Sequence, residues 1–272
     1  MRLQDKLSEL RDRRAAILAT NFYNLETLNA VLAAAKAESA SIILQLSESS
    51  INYMGLELAA SMAKTAIQVS GVEGWLHLDH GSSVALVQRC LDAGFDSVMI
   101  DASEKPMAEN IKVTREVVKL AEKYGVNVEA ELGYIAKLNQ EQAHMGFTQP
   151  EEALQFIEQT GVDALAVSIG SAHGFYKVEP ELDLELLSRI RAVVQTPLVL
   201  HGSSGIPDAV IVQAVKNGIT KINLATEIKN AFMQQLKREL TGTDEIDLRI
   251  VFPKATIKAQ ELIQNKLRVI TR

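Results

Sequence analysis

Short apolar runs alternate with longer stretches of helical period along nearly the whole chain. The apolar runs cover residues 16–21, 41–46, 74–79, 97–100, 127–132, 164–169, 197–200 and 221–224. They are rich in Val, Ile, Leu and Ala and show little apolar/polar alternation, which is the pattern of strands buried on both faces of a parallel sheet. Between them the 3.6-residue period predicts helices over 25–38, 56–69, 84–93, 108–124, 150–160, 184–194, 208–216 and 226–239, with a further C-terminal helix over 253–266. The punctuation agrees with this division. Pro150, Glu151 and Glu152 suit a helix start, and Gly94, Gly125, Gly161 and Gly218 each follow a helical segment, where a left-handed cap is expected. Eight β-α units in succession predict an α/β fold, a (β/α)8 TIM barrel with additional C-terminal helices. An open doubly wound sheet is the alternative, but no Gly-rich dinucleotide fingerprint follows the first strand. No Pro/Gly/Ser-rich linker interrupts the alternation, so residues 1–272 read as a single domain.

Composition narrows the function more than the fold. Hydrophobic residues make up 47% and charged residues 23% of the 272, which is ordinary globular composition and argues against disorder. The net charge of −6 offers no basic footprint for nucleic acid, so an anionic ligand has to be met by local groups. The one cysteine, Cys90, excludes an intramolecular disulfide and reads as a buried helix residue. The N-terminal residues lack the apolar core of a signal peptide, and no apolar run approaches the roughly 18 residues of a membrane span. A cytoplasmic protein without membrane or nucleic-acid partners is expected.

In a barrel of this kind the reactive groups collect where strands end and loops begin. Asp79 and His80 end the third strand, Asp101 and Ser103 the fourth, Glu129 and Glu131 lie late in the fifth, His173 follows the sixth and His201 ends the seventh. Any one of these histidines alone reads as an ordinary polar group. Three on one rim can fill three positions of a tetrahedral Zn²⁺ and leave the fourth open to substrate, with Asp79 beside the ion as a proton carrier. Gly202-Ser203-Ser204-Gly205 after the seventh strand, together with Asn223 to Thr226 at the last strand-to-helix joint, offers amides and hydroxyls for a phosphate. Metal and phosphate signals on one rim point to a phosphorylated small molecule.

The blocks LHLDHGSS, SVMIDAS, VEAELG, GSAHGFYK, LVLHGSSGIPD and KINLATEIKNAF resemble, in order, the signatures of the class II, zinc-dependent ketose-bisphosphate aldolases. The likeness spans nearly the whole chain, and NLAT is closer to the tagatose-bisphosphate branch and the short fructose-bisphosphate aldolases than to the long form. By this resemblance one catalytic Zn²⁺ per chain is held by His80, His173 and His201. Asp79 is the acid/base, with Asn223 on the reacting oxygen. Asp101 and Glu131 resemble the acids near an alternative metal position, or groups that orient the ligands. The phosphate end is carried by Gly174, Gly202, Ser203, Ser204, Asn223, Ala225 and Thr226, with Ser47 as a further candidate. The carbonyls of Gly174 and Gly202 can serve a monovalent cation (Na⁺ or K⁺). The implied reaction is reversible cleavage of a ketose (bis)phosphate to dihydroxyacetone phosphate and an aldehyde, by a homodimer or homotetramer.

One block departs from the family. After ELG the family continues with a mobile Gly-Gly-x-Glu-Asp loop, whereas residues 134–141 read YIAKLNQE, so Glu141 and His144 are the candidate replacements for the loop glutamate. Two other functions fit the same residues: a non-catalytic phosphosugar-binding barrel, against which Asp79 argues, and a zinc hydrolase with a nucleophilic water in the open position.

Overall fold

A computed structural model describes residues 1–133, 146–176 and 180–271. Eight parallel strands pair in chain order and the last returns to the first, closing a barrel. They are β1 (Ile17–Asn21), β2 (Ile42–Ser47), β3 (Gly74–Gly81), β4 (Ser97–Ile100), β5 (Asn127–Leu132), β6 (Ala164–Val167), β7 (Leu198–Leu200) and β8 (Ile219–Leu224). Helices α2 (Leu25–Ala37), α4 (Leu56–Ser70), α5 (Val84–Asp92), α6 (Met107–Glu122), α7 (Pro150–Thr160), α8 (Leu184–Val193), α9 (Asp208–Lys216) and α10 (Thr226–Thr241) form the outer ring expected from the periodicity. The helix α7 starts as its sequence implies, with Pro150 in the first turn, and stops at Gly161 in the left-handed conformation, φ 71°.

Three helical features depart from the sequence reading. The helix α1 (Leu3–Asp12) precedes β1, and a short α3 (Glu48–Met54) follows β2 with the Ser47 hydroxyl accepting from the amide of Ser50. The last helix, α11 (Leu248–Ile270), begins five residues before Pro253, capped by Asp247. Pro253 is the sixth residue of this helix, past the first four amides that have no intrahelical acceptor, so the Arg249 carbonyl goes without its usual donor there.

Two apolar layers hold the architecture. Outward strand residues such as Leu18, Leu44, Leu76, Leu78, Val128, Leu165 and Leu200 pack against the helix ring in one continuous core. Inside, the N-terminal end of the barrel is plugged: Leu3, Leu7 and Leu10 of α1 meet Ile17, Ala19, Ile43, Trp75, Ala164, Ala166 and Val199. Each such leucine contributes about 1.5–3 kcal/mol on full burial. Above this plug the interior turns polar, with Gln45, His77, Ser97, Asn127, Glu129 and Lys221 all buried, and the chemistry sits on top of them at the C-terminal mouth.

Candidate active site

Strand alternation sends Leu76 and Leu78 outward and His77 and Asp79 inward, as the sequence suggests. By the same rule His80 belongs with the leucines, and here the structure corrects it. His80 has φ 52°, and the pairing of β3 with β4 shifts register between Leu78 and Gly81. The bulge adds a residue and re-aims the side chain, so the consecutive Asp79 and His80 both reach the mouth. Gly81 makes the bulge possible: a Cβ there would sit 2.5 Å from the carbonyl oxygen of Met99 on β4.

The three imidazoles converge. Ring centroids lie 4.9 Å apart for His80 and His173, 4.7 Å for His80 and His201, and 5.9 Å for His173 and His201. Together with Glu131, each offers one ligating atom, all within 4.8 Å of one another. Four donors around a tetrahedral zinc at about 2.0–2.1 Å stand roughly 3.4 Å apart, so the cluster needs little contraction.

The hydrogen bonds around the cluster say which ring nitrogens are free to ligate. His80 Nδ1 is 2.7 Å from Asp101 Oδ2, and a carboxylate only accepts, so Nδ1 carries the hydrogen and Nε2 keeps a lone pair. His201 Nε2 is 2.9 Å from Glu129 Oε1 and 3.1 Å from Asn223 Nδ2; the carboxylate is the closer of the two and can only accept, so the hydrogen is on Nε2 and the lone pair on Nδ1. His80 Nε2 and His201 Nδ1 then face each other at 2.9 Å. Two lone pairs at that distance repel unless a cation lies between or beside them, either a proton or a metal ion. This fits a divalent metal held by His80, His173 and His201, with Glu131 as a fourth donor.

Charge follows from the same neighbours. Burial acts most strongly on His80 and disfavours its proton, but Asp79, Asp101 and Glu131 together outweigh it and raise its pKa to about 9. The acids that attract a proton there also suit a cation. Burial likewise dominates at His201, with His80 and Lys221 adding to it, and holds the ring neutral. At Asp79 burial works toward the neutral acid, yet His80, His201, Lys221 and the Asn21 amide prevail and keep the carboxyl below its ordinary range. Its two oxygens accept from Asn21 Nδ2 at 3.0 Å and Asn223 Nδ2 at 3.3 Å, which fixes the carboxylate at the wall of the mouth.

The whole chain, residues 1–272, matches the family model described as fructose-bisphosphate aldolase class-II. The chain belongs to that family. The fructose-bisphosphate aldolase of Geobacillus stearothermophilus is 40% identical over 89% of this chain and 86% of its own length. That of Helicobacter pylori strain ATCC 700392 / 26695 is 35% identical over 93% and 92%. Among solved structures, the YdjI aldolase from Escherichia coli K12 superposes with a TM-score of 0.89 at 32% identity, covering 98% of this chain and 96% of that one. Class-II aldolases are carbon–carbon lyases acting on phosphorylated sugars, and membership implies a divalent metal. The closed eight-stranded barrel is the fold the motifs led us to expect. Among the described residues no helix is long and apolar enough to cross a membrane.

A small cavity of about 60 Å³ is lined by Asn21, Asp79, His80 and His173 on one side and by Gly174, Gly202, Ser204, Asn223, Ala225 and Thr226 on the other. Gly202 has φ 65°, and a Cβ there would lie 2.4 Å from the carbonyl oxygen of Ala172, so glycine lets the loop after β7 close on the loop after β6. This cavity opens into a wider one of about 730 Å³ that reaches Ser47, Asp101, Ser103, Glu131, Lys105 and Lys229.

Not every candidate sits as the motifs suggested. Ser203 is fully buried and its hydroxyl donates to the carbonyl of Asn223, so it ties the β7 loop to β8 and does not line the cavity. Asp101 is outside the ligating cluster and orients His80, whereas Glu131 is inside it. The Gly202 carbonyl accepts from the Tyr176 hydroxyl at 2.8 Å, leaving its second lone pair for a cation. Glu141 and His144 lie outside the described residues. Sequence reasoning missed Asn21, which ends β1 as Asp79 stands two residues before the end of β3, and Lys229 and Lys105, the cations of the outer mouth. Another cavity of about 670 Å³, at the N-terminal end beside Met1, Arg2 and Trp75, brings together no such set of ligating and proton-carrying groups.

Proposed function

We propose that this chain is a zinc-dependent aldolase that reversibly cleaves a ketose bisphosphate, or a related ketose 1-phosphate, between C3 and C4 to give dihydroxyacetone phosphate and an aldehyde. The observation that carries the reading is the convergence of His80 Nε2 and His201 Nδ1, 2.9 Å apart, with His173 and Glu131 in one group of ligating atoms, and with the Asp79 carboxylate and the glycine-lined cradle on the same small cavity. The donor set favours zinc, since three neutral imidazoles with an adaptable fourth position suit that ion. A divalent ion bound there supplies Lewis acidity, polarising the substrate carbonyl and stabilising negative charge left on the three-carbon fragment.

The protein's own groups do the rest. In the cleavage direction Asp79 takes the proton of the C4 hydroxyl, the C4–O electrons form the aldehyde carbonyl, and the C3–C4 electrons remain on C3, which takes up a proton from solvent to complete dihydroxyacetone phosphate. In condensation Asp79 returns that proton. The Asn21 and Asn223 amides hold the carboxylate through both directions, and Asn223 Oδ1, buried and without a protein partner, is free to accept from a substrate hydroxyl. The C1 phosphate is placed on the amides and side chains of Gly174, Gly202, Ser204, Ala225 and Thr226, at the N-terminus of α10 where the helix dipole favours an anion. A Na⁺ or K⁺ ion at the Gly174 and Gly202 carbonyls would offset part of that charge. The second anionic end faces the lysines of the outer mouth, with Ser47 on the same wall. The exposed apolar side chains of Ile246, Leu248 and Ile250 support a homodimer or homotetramer, and the reading is of a cytoplasmic enzyme.

The test is triose-phosphate release from fructose 1,6-bisphosphate, tagatose 1,6-bisphosphate and the corresponding 1-phosphates. Release from at least one of them supports the reading. Binding without turnover of any would leave a phosphosugar-binding barrel, and phosphate release without triose phosphate would indicate a hydrolase.

A further inference from the structure

Beneath the metal cluster lie three buried groups that the aldol chemistry does not use: Lys221 on β8 and His77 on β3, both 0% exposed, and Glu129 on β5, 1% exposed. Lys221 Nζ donates to Glu129 Oε2 at 2.7 Å and to His77 Nε2 at 3.3 Å. An ammonium has no lone pair, so both partners accept. His77 therefore carries its hydrogen on Nδ1 and gives it to Ser97 Oγ, 2.8 Å away. Glu129, with one oxygen claimed by the ammonium, turns the other to His201 Nε2 at 2.9 Å.

We propose that Lys221 and Glu129 are a positioning pair that sets the tautomer of His201, keeping its hydrogen on Nε2 so that Nδ1 faces the cluster as a ligand. The inference rests on the metal-centre reading given above. Space-filling alone does not explain the pair, because burying two charges carries a desolvation penalty that an apolar pair avoids, and the layer below is filled by Ile43, Trp75 and Val199. Nor is Lys221 placed as an amine nucleophile. It lies against His77 and Glu129 on the barrel axis with no exposed surface, and it lines neither cavity of the mouth.

The ammonium makes the arrangement directional. In Glu129→Gln the amide oxygen is the one atom of the new side chain that can accept from Lys221, so the NH₂ must face His201. That group donates, His201 Nε2 must then accept, and the hydrogen moves to Nδ1, where it blocks ligation. The side chain keeps its shape while the tautomer reverses. Adding Lys221→Met removes the constraint. The Gln amide can then turn over, accept from His201 Nε2–H, and donate toward His77 Nε2, which is 3.8 Å from Glu129 Oε2.

The experiment measures Zn²⁺ and Co²⁺ affinity by chelator competition for the full chain and its variants, with melting temperatures recorded for the metal-free proteins. Glu129→Gln should weaken binding about 10–100-fold, the usual effect of losing a partner that orients a ligand. Imidazole ¹⁵N shifts of the metal-free protein should move the His201 hydrogen from Nε2 to Nδ1. The double variant Lys221→Met/Glu129→Gln should recover at least tenfold. A comparison independent of the Glu129→Gln fold is provided by two charge-free doubles, Lys221→Met/Glu129→Gln and Lys221→Met/Glu129→Leu, of which only the first can accept from His201 and should bind metal at least tenfold more tightly. Equal affinity of those doubles, or a folded Glu129→Gln protein that binds metal as wild type does, overturns the proposal. A wild-type chain that takes up neither ion would overturn the metal centre itself, which is a different outcome from an indifferent Glu129→Gln.

Discussion

Replacing Asp79 with alanine removes the one carboxylate, among the described residues, that lies in the small cavity beside the cluster without belonging to the ligating group. Its Oδ1 lies 3.9 Å from His80 Nε2 and it is outside the ligating group, so the metal should stay at one ion per chain. A positioned proton carrier contributes about 10²–10⁴-fold, so kcat should fall by that factor, equivalent to about 3–5 kcal/mol of barrier at about 1.4 kcal/mol per tenfold. The substitution also leaves the Asn21 and Asn223 amides without their acceptor, a cost of about 1–3 kcal/mol for each buried donor unless water replaces the carboxylate. The assay is steady-state cleavage of the preferred ketose bisphosphate, run well below the melting temperature of the variant, with bound metal measured on the same preparation. A kcat within tenfold of wild type would refute proton transfer by Asp79. Loss of metal in proportion to activity would make it a ligand instead.

Gly202→Ala places a Cβ 2.4 Å from a backbone carbonyl at a left-handed residue, so it should destabilise the chain by about 1–3 kcal/mol and raise KM more than it lowers kcat, read by melting temperature and kinetics. An unchanged KM would separate Gly202 from the phosphate end. Ser204→Ala removes a hydroxyl that lines the cavity and accepts from the Glu227 amide at 3.2 Å, and KM should rise about tenfold, the loss of one charge-assisted hydrogen bond of about 1.5 kcal/mol. Burial pushes the Cys90 thiol up to about 12, and since the thiolate is the reacting form, roughly one part in 10⁴ is reactive at pH 8. Mass spectrometry should find no iodoacetamide adduct on the folded chain and full labelling in denaturant. Rapid native labelling would place Cys90 outside the core.

The barrel was legible because its evidence is local. Doubly buried strands such as Ala164–Val167 read as unbroken apolar runs, and helix stops such as Gly161 mark the joints. The convergence of the three histidines was legible for a similar reason, since residues just past apolar runs fall at the strand ends of any closed barrel. Features that depend on partners distant in the chain were not. Nothing near His80 in sequence announces the left-handed residue and bulge that turn it inward, which require β4 alongside. Asn21 gains its meaning from Asp79 fifty-eight residues away, and Lys221 from Glu129 at a separation of ninety-two. Ser203 looked equivalent to Ser204 within a Gly-Ser-Ser-Gly turn, and the short link to the Asn223 carbonyl is what tells them apart. The plug helix α1 has a mixed-charge sequence whose three buried leucines become a pattern only once the open end of a barrel is there to receive them.

Metal removal and return test the central claim most directly. The protein is stripped with a chelator, dialysed, and assayed for aldol cleavage before and after addition of one equivalent of Zn²⁺, with His173→Ala as a second chain treated the same way. The expected result is loss of activity on stripping, recovery at about one ion per chain, and no recovery in His173→Ala despite an intact fold. Full activity of a demonstrably metal-free wild-type chain, or recovery of His173→Ala at the same stoichiometry, would contradict a catalytic ion held by His80, His173 and His201.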